Sequence, residues 1–238
     1  MHTRILCFAF ALLLAAGAFA ADTEKTSAGD PVITPIHHAS VMLQFGGKVI
    51  HVDPWGQGDY SSAPRADYIL ITDIHGDHMD KNVVAKLKKD STIIIAPAEV
   101  QKTITEAQVM NNGEKKKFGD LEVEAVPMYN LQRGPQPGAL YHTKGRGNGY
   151  ILTLGGKRVY LSGDTEAIPE MKALKNIDIA FVCMNLPYTM TPEEAAEGVR
   201  AFRPKVVYPY HHRGSDTNAF AAALKNEKGI EVRLRNWY

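Results

Sequence analysis

The sequence predicts an α+β fold in which two β-rich halves pack sheet on sheet with helices outside, and three observations predict it. Two Gly-Gly hairpins, at Gly46-Gly47 and Gly155-Gly156, share a layout in which the second strand runs on to an aspartate, Asp53 or Asp164. Each hairpin is followed by strand patterns alternating with helix patterns. The 238 residues, ordinary in composition, suffice for one domain with a well-buried core. A sheet with one apolar face has to bury it, and two such halves bury each other.

In chain order, the first 20 residues differ from the rest: a basic start with Arg4, an apolar run over 5–19, and Ala18-Phe19-Ala20 before Ala21-Asp22. This is the pattern of a secretory signal with a small-residue cleavage site, too short and wrongly flanked for a membrane span. The chain is therefore expected to be exported, to the periplasm or outside the cell, with no stable membrane span after cleavage. Residues 21–30 are small and polar and read as a flexible lead-in; residues 31–238 read as a single domain. Strands are expected at 40–45 and 48–53, because paired glycines supply the positive φ of the tight turn between them. Another is expected at the β-branched apolar run 68–72. Asp80 caps a helix to about residue 89, 92–96 is a buried strand, and Pro97 opens a short helix. Residues 121–126 alternate apolar side chains with glutamate, the pattern of a strand with one wet face. The stretch 128–148, rich in Gly, Pro and basic residues, is a long loop, and such loops in compact domains are usually functional or disordered. In the second half, 150–154 and 157–161 form the hairpin, and 178–182, 205–208 and 230–234 are strands. Thr191 with Pro192 opens one helix, and Thr217 caps another to about residue 226.

Twenty-seven basic against 26 acidic residues leave a formal net charge of +1, so no overall field draws the protein to nucleic acid or anionic lipid. The expected partner is a small molecule, neutral to anionic; oligomeric state is not legible. Lys115–Lys117 and the group Lys86, Lys88 and Lys89 read as solvated surface. Of the two cysteines, Cys7 leaves with the signal and Cys183 closes an apolar strand. No internal disulfide can then form, and Cys183 reads as a packed thiol.

The chemistry concentrates in Asp73-Ile74-His75-Gly76-Asp77-His78, where an apolar strand runs into four potential ligands within six residues. Gly76 permits a tight path after the strand end, so the four side chains can converge on a point. Imidazole and carboxylate at that density suit a divalent metal such as zinc, manganese or iron.

With this segment the sequence resembles the metallo-β-lactamase superfamily, whose signature is His-x-His-x-Asp-His after a core strand. The likeness spans nearly the whole mature chain and includes Val52-Asp53-Pro54-Trp55, Ser162-Gly163-Asp164-Thr165 and Val207-Tyr208-Pro209-Tyr210-His211. The spacings look similar to the branch related to ascorbate-6-phosphate lactonase. The resemblance implies a four-layer αββα sandwich with two divalent ions at the sheet ends, zinc first, manganese or iron as alternatives. Position by position, it implies that Asp73 and His75 bind the first ion and Asp77 and His78 the second. Asp164 would bridge both, and His211, rather than its neighbour His212, would complete the second site. For the remaining ligand of the first site His142 is preferred, as the histidine between the signature and Asp164, although Asn130 lies nearer the usual place. The implied activity is hydrolysis of a small ester, lactone, amide or phosphoester by a metal-bound hydroxide that Asp77, the catalytic residue, orients. Asp53, at a strand end, reads as a partner that orients ligand histidines. His38 is placed near the metals, and Trp55 and Tyr188 are candidate substrate contacts.

The chain departs from the signature at Asp73, where histidine is usual. With Asp73, Asp77 and Asp164 ionised, three negative charges face the four positive charges of two divalent ions, and one bridging hydroxide makes the cluster neutral. A more oxygen-rich first site suits harder ions. Alternatively Asp73 is a poor ligand, one ion is held, and the chain is a metal-binding protein with little turnover.

Overall fold

A computed structural model describes residues 21–238; the signal segment expected at 1–20 lies outside the described residues. Two seven-stranded sheets follow one another along the chain. The first holds, in chain order, β1 (Asp22–Thr23), β2 (Val32–His37), β3 (Ser40–Phe45), β4 (Lys48–Val52), β5 (Ala66–Leu70), β6 (Lys88–Ala96) and β7 (Gln108–Val109). The second holds β8 (Lys115–Phe118), β9 (Leu121–Met128), β10 (Gly147–Leu154), β11 (Lys157–Leu161), β12 (Ile179–Cys183), β13 (Val206–Tyr210) and β14 (Glu231–Val232). In each sheet the first four strands pair antiparallel and the fourth to seventh pair parallel. The halves therefore repeat one topology, as the matching hairpins predict. Gly46 and Gly47 (φ 58° and 74°) and Gly155 and Gly156 (φ 59° and 81°) supply the left-handed pairs that close β3 on β4 and β10 on β11.

Leu43, Ile50 and Leu70 of the first sheet share one core with Val123, Leu152 and Phe181 of the second. Ile69 and Ile94, on the other face of the first sheet, pack with Val84 and Leu87 of α1 (Lys81–Leu87) and Val100 of α2 (Ala98–Gln101). The second sheet carries α3 (Pro169–Lys172), α4 (Pro192–Phe202) and α5 (Thr217–Leu224), which contribute Met171, Val199, Phe202, Phe220 and Leu224. The architecture is the four-layer αββα sandwich. Asp80 accepts from the backbone of Asn82 and Val83 to start α1, and Thr191 and Glu194 form a reciprocal capping box at α4.

Three local expectations are corrected. Residues 21–30 are not a loose lead-in: β1 pairs with β2, Arg235 holds Asp22 at 2.7 Å, and Arg233 holds Glu24. Their polar side chains find cationic partners from the far end of the chain, which composition alone does not show. The helix expected to reach residue 89 stops at Leu87, because Lys88 already enters β6. Asp216, rather than Thr217, caps α5, accepting from Asn218 and Ala219.

This topology places the chemistry. Asp53 follows β4, the segment 73–78 follows β5, Asp164 follows β11 and His211 follows β13. The C-terminal ends of parallel strands thus deliver all four to one edge of the sandwich.

Candidate metal centre

Two groups of donor atoms gather at that edge, each within 4.8 Å: Asp73, His75 and His142, and His78, Asp164 and His211. Asp73, His78 and His211 are buried, as are His142 and Asp164, while His75 and Asp77 reach toward solvent. His142 Nε2 lies 3.2 Å from Asp164 Oδ2 and 3.8 Å from Asp73 Oδ2, and His211 Nε2 lies 3.4 Å from Asp164 Oδ1. Asp164 therefore stands between the two groups.

Neighbouring side chains fix which nitrogen each ring offers. Asp53 Oδ2 sits 2.9 Å from His78 Nδ1, and the carboxylate is anchored by the Thr72 backbone N–H at Oδ1 and the Thr72 hydroxyl at Oδ2. The His78 Nδ1–H therefore points at Asp53, which leaves Nε2 turned toward Asp164 Oδ2 at 3.4 Å. Asn130 Oδ1 accepts from the backbone N–H of His142 and lies 2.8 Å from His142 Nδ1, while Asn130 Nδ2 donates to Glu166 and to the Tyr188 carbonyl. The structure thus brings His142 to the cluster and makes Asn130 its support. His51, which alternation puts on the face of Asp53, turns away to the Pro64 carbonyl.

His38, Asp77 and His211 form a third close group, but hydrogen bonding removes His38 from the donors. The Tyr238 hydroxyl oxygen accepts the backbone N–H groups of His212 and Arg213, so its own hydrogen goes to His38 Nδ1 at 2.6 Å. His38 Nε2 then carries the ring's hydrogen and donates to Asp77 Oδ2 at 3.2 Å. Burial, followed by the neighbouring His211, lowers the His38 pKa to about 4 despite Asp77, so the ring stays neutral. His212 lies outside the three groups. Trp55 packs on the rings of His37 and His38 rather than lining the cavity.

The donor set fits a divalent cation. His78 Nε2, Asp164 Oδ1 and His211 Nε2 are buried without a hydrogen-bond partner, and leaving such groups unpaired costs roughly 1–3 kcal/mol each. Burial opposes charge on His78, yet Asp164 and Asp53 outweigh it and raise the ring's pKa well above the ordinary imidazole range. Burial likewise opposes ionisation of Asp164, and His211 and His78 overcome it, holding the carboxylate well below its usual range. Such a site demands positive charge, from protons or from a metal that displaces them. Four of the six non-glycine residues with positive φ among those described, His38 (56°), Asp53 (45°), His211 (46°) and Arg213 (22°), lie here. Backbone strain of this kind, about 1–3 kcal/mol each, gathers at functional sites.

A cavity of about 320 Å³ opens over the cluster, floored by His75, Asp77, His142 and Asp164 and walled by Tyr141, Tyr188, Asn185 and Arg213. Tyr188 thus stands where a substrate contact is expected, edge-on to Tyr141. Asn185 Oδ1 is buried and unpartnered. Sequence reasoning missed Arg146, whose guanidinium grips Asp73, and Tyr238, which grips His38; the one signal pointing to either was that Arg146 falls in the long loop 128–148. Cys183 is no nucleophile, since burial pushes its thiol up to about 11.

The family profile described as "Beta-lactamase superfamily domain" matches residues 32–211. A UPF0173 metal-dependent hydrolase of Thermus thermophilus is 30% identical over 210 residues, covering 82% of this chain and 91% of that protein. A crystal structure of a protein from Parabacteroides distasonis, described as a metal-dependent hydrolase, superposes with a TM-score of 0.86 at 44% identity. It covers 92% of this chain and 99% of that one. CmlA, a diiron β-hydroxylase from Streptomyces venezuelae, shares the fold at a TM-score of 0.67 and 18% identity over 89% of this chain and 54% of its own.

Proposed function

From the premise that this chain belongs to the beta-lactamase superfamily, we propose that it is a metal-dependent hydrolase of small molecules. The observation that carries this reading is the convergence of buried, unpartnered His78 Nε2, Asp164 Oδ1 and His211 Nε2 beneath an open cavity. Asp73, His75, His142 and Asp164 would hold one divalent ion, and Asp77, His78, His211 and Asp164 a second; zinc suits such mixed imidazole and carboxylate sets, and the extra carboxylate of the first also suits manganese or iron. When bound, such ions activate water and polarise a carbonyl or phosphoryl oxygen.

The chain's own residues do the rest. Asp53 and Asn130 hold the His78 and His142 rings with their lone pairs inward. Neutral His38 donates to Asp77 Oδ2 and keeps that carboxylate at the cavity floor, where it can orient the attacking water and pass its proton to the leaving group. Arg213 in the cavity wall can take an anionic group on the substrate. The volume suits a small ester, lactone, amide or phosphoester.

Metal content by mass spectrometry, followed by nitrophenyl ester and phosphodiester assays, tests the reading. Two ions per chain, activity lost on chelation and restored by metal, and activity lost in Asp77→Ala are expected. A tightly held ion with no turnover on either probe would instead indicate a metal-binding protein.

A further inference from the structure

Asp73 stands where the family signature places a neutral histidine, and it is fully buried. An extra carboxylate beside Asp77 and Asp164 changes the charge of the whole site, and the fold answers it with a specific partner. Arg146, the residue before β10, reaches Asp73 with Nε 3.2 Å and Nη2 3.1 Å from Oδ1, and with Nη2 2.8 Å from Oδ2. Its Nη1 donates to the Tyr141 carbonyl at 3.0 Å, which holds the fork in place. Asp73 Oδ2 also faces His75 Nδ1 at 2.7 Å and His142 Nε2 at 3.8 Å. Arg146 thus engages both carboxylate oxygens, Oδ1 with two nitrogens and Oδ2 through Nη2, and Oδ2 also faces the histidines.

We propose that Arg146 is a charge-compensating partner of Asp73, so that toward a divalent cation the pair acts as the neutral ligand that a histidine would be. This inference rests on the two-ion reading above. Counting charges makes the case. With two divalent ions, one hydroxide and the carboxylates of Asp77 and Asp164, a site with histidine at position 73 carries a net +1. Asp73 alone would bring it to zero, and Arg146 returns it to +1. Guanidinium suits the task because its planar fork engages one carboxylate at several points and stays charged at any working pH. His75 lies against the same Nη2, 2.9 Å from Nε2 and 3.1 Å from Nδ1, so Arg146 is close enough for its charge to be felt by an ion held there.

The test is a double-mutant cycle read in metal stoichiometry and affinity by chelator competition, with circular dichroism confirming the fold. Wild type should hold two zinc ions. Asp73→His, which leaves Arg146 unpaired beside the ions, should weaken the first ion at least tenfold. Adding Arg146→Met should restore its affinity to within about threefold of wild type, and Arg146→Met alone should tighten it. Arg146→Lys, which keeps the charge and loses the fork, should stay within threefold of wild type and serves if the methionine variants do not fold. Additive effects, or a tenfold change in Arg146→Lys, would overturn the proposal while leaving the hydrolase reading intact. A wild type with one ion and an Arg146→Met protein with two would also overturn it, because Arg146 would then occupy an ion's place. No divalent ion in the wild type removes both readings.

Discussion

Asp53 shows how much a single residue decides. Its carboxylate lies 2.9 Å from His78 Nδ1, and the Thr72 backbone fixes it in turn. Asp53→Ala is expected to lower metal affinity about 10- to 100-fold, measured by chelator competition, as loss of a partner behind a ligand histidine does elsewhere; unchanged affinity would exclude the role. Tyr238→Phe removes the hydrogen that sets the His38 tautomer. Metal content should stay at the wild-type value while turnover of a nitrophenyl ester falls, by up to about 100-fold, since small misplacements at a reacting centre have effects of that order. Asp53 was legible because it ends a strand beside another strand-end cluster. Arg146 was not, because its partner lies 73 residues away and no local pattern links them.

At the scale of elements, the turns and caps carry the readable signals. Gly163 precedes Asp164 at φ 59°, and a Cβ there would lie 2.5 Å from Met128 Sδ and 3.1 Å from Thr72 Cβ. Gly163→Ala should therefore destabilise the fold by about 1–3 kcal/mol and displace Asp164. For a chain of this size that lowers the midpoint by roughly 2–4 °C per kcal/mol, and differential scanning calorimetry with metal analysis reads both effects. Thr191→Ala removes the α4 cap and should cost about 1 kcal/mol without altering metal content; an equal loss of metal would tie the cap to the site. Both Gly-Gly hairpins and the α4 cap were visible because their signals are local. The two-residue β7 and the four-residue α3 were not, since elements so short owe their form to the neighbours that pack on them.

At the scale of the whole molecule, chain ends and metal are expected to govern stability. Burial opposes ionisation of Asp22, but hydrogen bonds from Arg235 and Tyr208 prevail and lower its pKa. A depressed carboxyl stabilises the fold above its unfolded value of about 3.9 and loses that contribution as pH falls through the folded value. Amide exchange should accordingly show β1 loosening below about pH 4, and Asp22→Asn should loosen it at neutral pH; equal protection in both would exclude the clamp. Ions that bind the native chain and not the unfolded one should raise the melting midpoint, by about 2.7 kcal/mol of stability at a hundredfold excess over Kd, and chelation should reverse it. The export expected from residues 1–20 predicts a mature chain that begins at Ala21, checked by intact-mass spectrometry of the protein recovered outside the cytoplasm; a mass that retains residues 1–20 would exclude it. By itself the sequence determined the two β-rich halves, the hairpins that open them and the ligand-rich segment after β5, while Asp164 and His211 entered through the family resemblance. The former follow from periodicity, turn residues and short-range motifs, which act between near neighbours. Tertiary structure alone decided that His142 enters the cluster with Asn130 behind it, that His38 serves Asp77 and that Arg146 answers Asp73. Those pairings join residues far apart in the chain, and a hydrogen bond or a charge pair depends on distance in space.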